Sequence, residues 1–126
     1  MTDRELLEAA RAARTHAYAP YSGFSVGAAL SCSDGTLVAG CNVENASYGL
    51  AMCAERAAIF SAIAGGHRRF DALAVAGPDG QTTSPCGACR QVLAEFGSDI
   101  RVIYATADGF EETTAAALLP ATFVLP

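Results

Sequence analysis

Three cysteines and one glutamate fall in two short stretches, Met52–Phe60 (Met-Cys-Ala-Glu-Arg-Ala-Ala-Ile-Phe) and Ser84–Arg90 (Ser-Pro-Cys-Gly-Ala-Cys-Arg). Cys53, Cys86 and Cys89 read as three thiolate ligands to one zinc. A structural zinc is usually closed by four protein ligands, whereas a catalytic zinc keeps three and leaves the fourth position for water. Glu55 is then the proton carrier beside that water. Cys86 and Cys89 are three apart and share one face of a helical turn. Ser84 and Pro85 read as an N-cap and a first helical residue, and Cys53 stands where an alanine-rich helix begins. Both helix starts would aim free N–H groups and positive dipole ends at the thiolates, which lowers thiol pKa.

Residues 53 and 55 of a regular helix are separated by roughly 200°. Glu55 therefore reaches the same centre only from the first turn, which makes it a poor fourth ligand and a better acid/base. Three thiolates on a divalent zinc leave the cluster with a formal charge of −1. Arg56, and with it Arg90, are the candidates to withdraw that excess by hydrogen-bonding to sulfur, against the plainer reading as solvent-exposed helix arginines.

The competing reading is a structural zinc closed by Cys32 or Cys41, or thiols acting as small buried hydrophobes. Cys32 and Cys41 fall in expected strands and read as buried filler. His16, on the first helix, and His67, in a Gly-Gly-His-Arg-Arg turn, read as surface residues. The combination of Cys-Ala-Glu with Pro-Cys-x-x-Cys favours an open, catalytic metal.

Cys-Ala-Glu-Arg followed by Pro-Cys-Gly-Ala-Cys-Arg-Gln resembles the zinc signature of the cytidine deaminases. Residues 18–30 (Tyr-Ala-Pro-Tyr-Ser-Gly-Phe-Ser-Val-Gly-Ala-Ala-Leu), residues 40–49 (Gly-Cys-Asn-Val-Glu-Asn-Ala-Ser-Tyr-Gly) and Leu-Leu-Pro near the end are similar to the small, free-nucleoside members. The resemblance covers nearly the whole chain and implies hydrolysis of cytidine and deoxycytidine to uridine products and ammonia, in pyrimidine salvage. It implies one zinc per subunit and a homotetramer with pockets shared between subunits. Glu55 would move a proton from water to the ring N3 and then toward the departing ammonia. By the same resemblance Asn42 and Glu44 hold the ribose 3′-hydroxyl, Phe24 stacks on the pyrimidine, and the Ala54 carbonyl contacts the base. Tyr48 and Phe123 are implied to reach a neighbouring subunit's pocket. One departure is visible: the sequence stops at Pro126, where similar proteins commonly continue with a charged tail.

The residues around Asn42 support part of this on their own. Asn42 and Glu44 are two apart at a strand end, so both side chains point to one face. An amide and a carboxylate there suit a sugar hydroxyl, and they equally suit a polar turn.

Composition sets outer limits. With 126 residues, 52% hydrophobic and 17% charged, the chain reads as one folded domain, 1–126, of the cytidine deaminase-like kind. A net charge of −5 from 13 acidic and 8 basic residues, with no basic run, disfavours a polynucleotide substrate and favours a free nucleoside. No segment reads as a signal or a membrane span, and five cysteines with three at metal spacing argue against a disulfide framework. The expected compartment is the cytoplasm.

The elements that must position these groups can be read in order. Thr2-Asp3-Arg4-Glu5 is a capping box, and Leu6, Ala10, Ala13 and Ala17 recur at helical spacing up to Pro20. Residues 25–32 and 36–43 are two strands joined through Ser33-Asp34-Gly35. A loop over 44–52 leads to a helix over 53–64, closed by Gly65-Gly66. A buried strand over 72–76, a second zinc helix over 86–96, a strand over 100–105, an edge strand over 110–113 and a short helix ending at Pro120 complete the chain. Strands alternating with helices predict a layered α/β sheet with an antiparallel hairpin at one side. The resemblance specifies a three-layer α/β/α domain with a mixed five-stranded sheet. In such a sheet ligands bind outside strand ends, where helices begin.

Overall fold

Thr2 opens the first helix, α1 (Asp3–Arg14), through a full capping box. The Glu5 N–H donates to Thr2 Oγ1 at 3.1 Å and the Thr2 N–H to Glu5 Oε1 at 3.0 Å. The computed structural model describes residues 1–126. It contains five strands, β1 (Gly27–Cys32), β2 (Leu37–Cys41), β3 (Phe70–Ala76), β4 (Arg101–Ala105) and β5 (Phe110–Thr114). Three further helices follow, α2 (Ala54–Ala64), α3 (Gly87–Phe96) and α4 (Ala115–Leu118).

The strands lie in the order β2-β1-β3-β4-β5, a mixed five-stranded sheet. Only β3 and β4 are parallel, and α3 makes the crossover between them. Antiparallel pairs stand at both edges rather than at one, because β5 returns along β4 just as β2 returns along β1.

Period-two alternation decides which side each helix covers. Ala29, Ala72, Ala74 and Ile103 face Leu6, Leu7 and Ala10 of α1. Leu30, Leu73, Val75 and Val102 face Ile59 of α2 and Leu93 of α3. The result is the three-layer α/β/α arrangement, with a small-residue side that draws α1 close and a larger-residue side that holds α2 and α3.

Some boundaries differ from the sequence reading. Helix α1 stops at Arg14, not near Pro20, so His16 lies beyond it and is exposed. Thr15, His16 and Ala17 bond three residues back rather than four, which tightens the last turn. The backbone of Tyr18 is then taken by Asn42 and Glu44 in a short bridge beside Val43, and helix cannot continue through it. Strand β3 starts two residues earlier than expected, at Phe70. Cys32 is buried at 1% exposure, but Cys41, on the edge strand β2, is only half-buried.

Two glycines fix how closely strands approach helices. A Cβ on Gly27 would lie 2.0 Å from the Ala10 carbonyl oxygen of α1. A Cβ on Gly40 would lie 2.6 Å from both the Ala54 oxygen and the Ala58 nitrogen of α2. All three of these atoms are backbone, so neither contact can be relieved by a rotamer change. We expect Gly40→Ala to push α2 off the sheet and to cost about 1–3 kcal/mol. Urea unfolding measures this, and an unchanged midpoint would remove the close-approach argument.

Candidate active site

Both zinc stretches reach the same end of the sheet. Gly27, at the start of β1, pairs with Cys41 at the end of β2 and with Ala76 at the end of β3. The chain leaving β2 enters α2, and the chain leaving β3 enters α3, so two helix N-termini converge beyond those strand ends. Cys53 is the N-cap of α2 and Cys86 the N-cap of α3, both with extended backbone. This corrects the expected start of the second zinc helix. Ser84 is not its cap and Pro85 is not its first residue, since the ligand itself occupies the cap and Gly87 begins the helix. Pro85 is instead buried, and its carbonyl accepts from Arg90 Nε at 2.7 Å. Neither cap sulfur accepts an N–H bond from its own first turn. The helices therefore act on the sulfurs through their dipole field.

Cys89, one turn into α3, is buried beneath the other two sulfurs. Cys53 Sγ lies 3.6 Å from Cys86 Sγ, which lies 3.4 Å from Cys89 Sγ. All three sulfurs fall within 4.8 Å of one another, and all are free thiols. Tetrahedral zinc with bonds of about 2.3 Å sets its sulfurs about 3.8 Å apart, so the cluster already has the spacing of one face of that tetrahedron.

Protonation supports the fit. The Cys53 thiol is lowered to about 5, first because Cys89 hydrogen-bonds to it and then through Arg56 and Cys86. Cys89 is raised, first by that same bond to Cys53 and then by burial. One thiolate forms readily and a second beside it does not, unless a cation neutralises them. The donor set thus suits a divalent, thiophilic ion.

Arg56 Nη2 donates to Cys53 Sγ at 3.4 Å, which meets the need for charge withdrawal. That bond and the neighbouring thiolates raise the arginine's own pKa further. Arg90 does something else. Its guanidinium bonds Pro85 O, Leu118 O and Ser84 Oγ, and so ties the loop before α3 to the end of α4.

Glu55 is 4% exposed and lines a cavity of about 310 Å³ with Cys53 and Cys86. Burial pushes its carboxyl up to about 7, where it can both take and give a proton near neutrality. The same cavity is lined by Phe24, Asn42, Glu44 and Ala54. Of the expected substrate residues, these four are brought to the metal cluster and two are not. Tyr48 lines a neighbouring cavity with Tyr21, Ser22 and Glu44, and it is 78% exposed. Phe123 is exposed, with its carbonyl accepting from Gln91 Nε2 at 3.2 Å. The carbonyl oxygen of Ala54 lies against Gly40, inside the contact between α2 and β2.

Asn42 and Glu44 are more committed than a free pair. Asn42 Oδ1 accepts from the Val26 N–H at 2.8 Å and its Nδ2 donates to Phe24 O at 2.9 Å. Glu44 Oε1 accepts the N–H groups of Tyr21 and Ser22 at 2.9 and 3.2 Å, and Oε2 accepts the Ser22 hydroxyl. The Ser22 bond is the main reason the Glu44 carboxyl is held below its usual value. These bonds leave Asn42 one amide hydrogen and Glu44 spare lone pairs on Oε2.

Sequence reasoning passed over Ser22 and Thr83. Ser22 was legible only as a turn residue. Thr83 is 9% exposed and lines the cavity, and the absent side chain of Gly77 makes room for it. Nothing in its local sequence marks it.

The family model described as the cytidine and deoxycytidylate deaminase zinc-binding region matches residues 1–106. A cytidine deaminase of Sporosarcina psychrophila is 49% identical over 125 residues, covering 98% of this chain and 92% of its own length. A crystal structure of cytidine deaminase from Burkholderia pseudomallei superposes with a TM-score of 0.93 at 53% identity, covering 98% of this chain and 100% of that one. A blasticidin-S deaminase of Bacillus cereus is 30% identical over 126 residues, covering 94% of this chain and 89% of its own.

Replacing Arg56 by Gln removes the bond to Cys53 and leaves the thiolate charge less compensated. Outer-shell losses of this kind cost about 10–100-fold in metal affinity or activity. We expect zinc retention under a competing chelator to fall within that range, and retention equal to the parent would remove the charge-withdrawal role.

Proposed function

The chain belongs to the cytidine and deoxycytidylate deaminase family and is a zinc-dependent hydrolytic deaminase of cytidine and deoxycytidine; we propose how its own residues divide that reaction. The observation that carries the reading is the buried Glu55 carboxyl sharing one cavity with two of three clustered thiols.

Cys53, Cys86 and Cys89 would hold the zinc, which would supply a Lewis acid that polarises water. Glu55 accepts the proton of that water and passes it to N3 of the cytosine ring, which makes C4 the more electrophilic. The hydroxide so formed bonds to C4. Glu55 then takes the proton of that new hydroxyl and gives it to the amino nitrogen. The C4–N bond breaks, ammonia leaves, and the oxygen stays as the C4 carbonyl of the uridine product. Water, cytidine, uridine and ammonia balance with no other reactant. A carboxyl held near 7 serves both directions without a large driving-force mismatch.

Phe24, at the cavity wall and 39% exposed, offers a ring face to the pyrimidine. The remaining amide hydrogen of Asn42 and the free lone pairs of Glu44 Oε2 suit a ribose hydroxyl, which needs one donor and one acceptor. Ala54 contributes cavity wall beside Glu55. A cavity of about 310 Å³ is at the small end of ligand pockets, which fits a nucleoside and not a polymer.

A homotetramer with shared pockets is part of the proposal. Tyr48, Leu50, Tyr18 and Tyr21 are all more than half exposed, and Tyr21 and Tyr48, in edge contact at 6.1 Å, line the cavity beside Glu44. Exposed apolar clusters of this kind mark interfaces. Tyr48 and Phe123 are assigned to a neighbour's pocket. Residues 1–126 act as one catalytic unit in pyrimidine salvage, and five free cysteines favour the reducing cytoplasm. No helix is long and apolar enough to cross a membrane.

Glu55→Gln tests the proton carrier. We expect zinc to be retained while ammonia release from cytidine falls by about 10²–10⁴-fold. Turnover near the parent rate with zinc bound would dismiss Glu55 from that role. For the shared pocket, Phe123→Ala should raise KM for cytidine, with sedimentation showing a tetramer in the parent. A monomeric parent with full activity would end the shared-pocket assignment.

A further inference from the structure

We propose a second divalent-metal site, of the zinc class, formed by Cys32, Asp34 and His67 at the end of the sheet opposite the deaminase cavity. One ligand atom from each residue lies within 4.8 Å of the other two. His67 Nδ1 stands 3.4 Å from Asp34 Oδ2. Bonds of about 2.0–2.1 Å from tetrahedral zinc to N and O place those atoms about 3.3 Å apart, so this edge is already formed. The sulfur needs an approach to about 3.6 Å from both. Both of its distances are already within 4.8 Å, so a shift of about 1 Å in the Cys32 and His67 side chains provides it.

The three ligands stand on fixed backbone. Cys32 ends β1, and its N–H donates to Thr36 O at 2.8 Å across the hairpin. Asp34 is locked in the turn, where Oδ1 accepts the Thr36 N–H at 2.9 Å and Oδ2 is left toward His67. His67 follows α2, with its N–H bonded to Ala62 O at 3.0 Å and its ring beside Gly65. Gly66, at φ 93°, turns the chain between them.

Charge also favours a cation. The C-terminal end of α2 carries negative dipole charge, and Asp34 and the nearby Asp71 add theirs. Arg68 and Arg69 oppose this, with the Arg68 guanidinium directed to the carbonyls of Ile63 and His67 and the Arg69 backbone bonded to Ser33. Borderline ligands of this mixture, N, S and O, select zinc or cobalt over magnesium or calcium. With three protein ligands the site keeps one position for water, and binding there clamps the β1–β2 hairpin to the end of α2.

Protein carrying one zinc per chain is titrated with Co(II), which reports a bound thiolate through a sulfur-to-cobalt charge-transfer band. We expect one further equivalent to bind with a band of single-thiolate strength. Both disappear in His67→Ala and in Cys32→Ser, while the first zinc is retained. No added equivalent in the parent, or a band that survives both substitutions, overturns the proposal. If Cys32→Ser fails to fold, His67→Ala, at a side chain 23% exposed, decides alone.

Discussion

Three sulfurs in contact and a carboxyl buried beside them are a concentration of negative charge that a protein interior does not accept unaided. The rest of the fold answers that constraint. Two helices must begin at the cluster, since their dipoles supply positive field where no lysine stands. For both to begin there, the strands that feed them must end on the same side of the sheet. The order β2-β1-β3 achieves this, since β1 runs antiparallel to both neighbours and brings their C-terminal ends together. Arg56 supplies the remaining charge from within the first turn of α2. Gly40 then lets α2 lie close enough to β2 for Glu55 to be buried to 4% exposure.

The opposite wall of the cavity has no regular secondary structure. Residues Tyr21 to Val26 form it, and their backbone groups are satisfied by the side chains of Asn42 and Glu44 rather than by a ladder. Those two residues therefore build the wall as well as offering their last donor and acceptor to a ligand. The arrangement is economical in a small chain, and it couples substrate contacts to loop order. A bound hydroxyl and an ordered Phe24 depend on the same two side chains.

Residue types and short spacings made much of this legible. The Cys-x-x-Cys turn, the Thr2–Glu5 capping box and the hairpin at Ser33-Asp34-Gly35 are local features, and local chemistry determines them. The same holds for Glu55: a first-turn position was the only one from which it could reach the cluster, and that is where it sits. What escaped was set by distant parts of the chain. Helix α1 ends at Arg14 because Asn42 and Glu44 claim the backbone of Tyr18. Cys86 takes the cap that the local spacing assigns to Ser84, because Pro85 packs in the interior and its carbonyl is held by Arg90. Cys32, Asp34 and His67 read as filler, turn and surface, since nothing in a window of ten residues joins position 32 to position 67. The hairpin and the length of α2 bring them together.

That length ties the two ends of the molecule. Helix α2 has 11 residues and spans about 16 Å, from the Cys53 cap to the turn that presents His67. Its two ends carry opposite dipole charge. The start favours thiolates, and the finish favours a cation, so one helix suits the anionic cluster at one end and the second metal at the other. A clamp on the far end restrains the hairpin whose second strand, β2, carries Gly40 and runs on to Asn42 and Glu44.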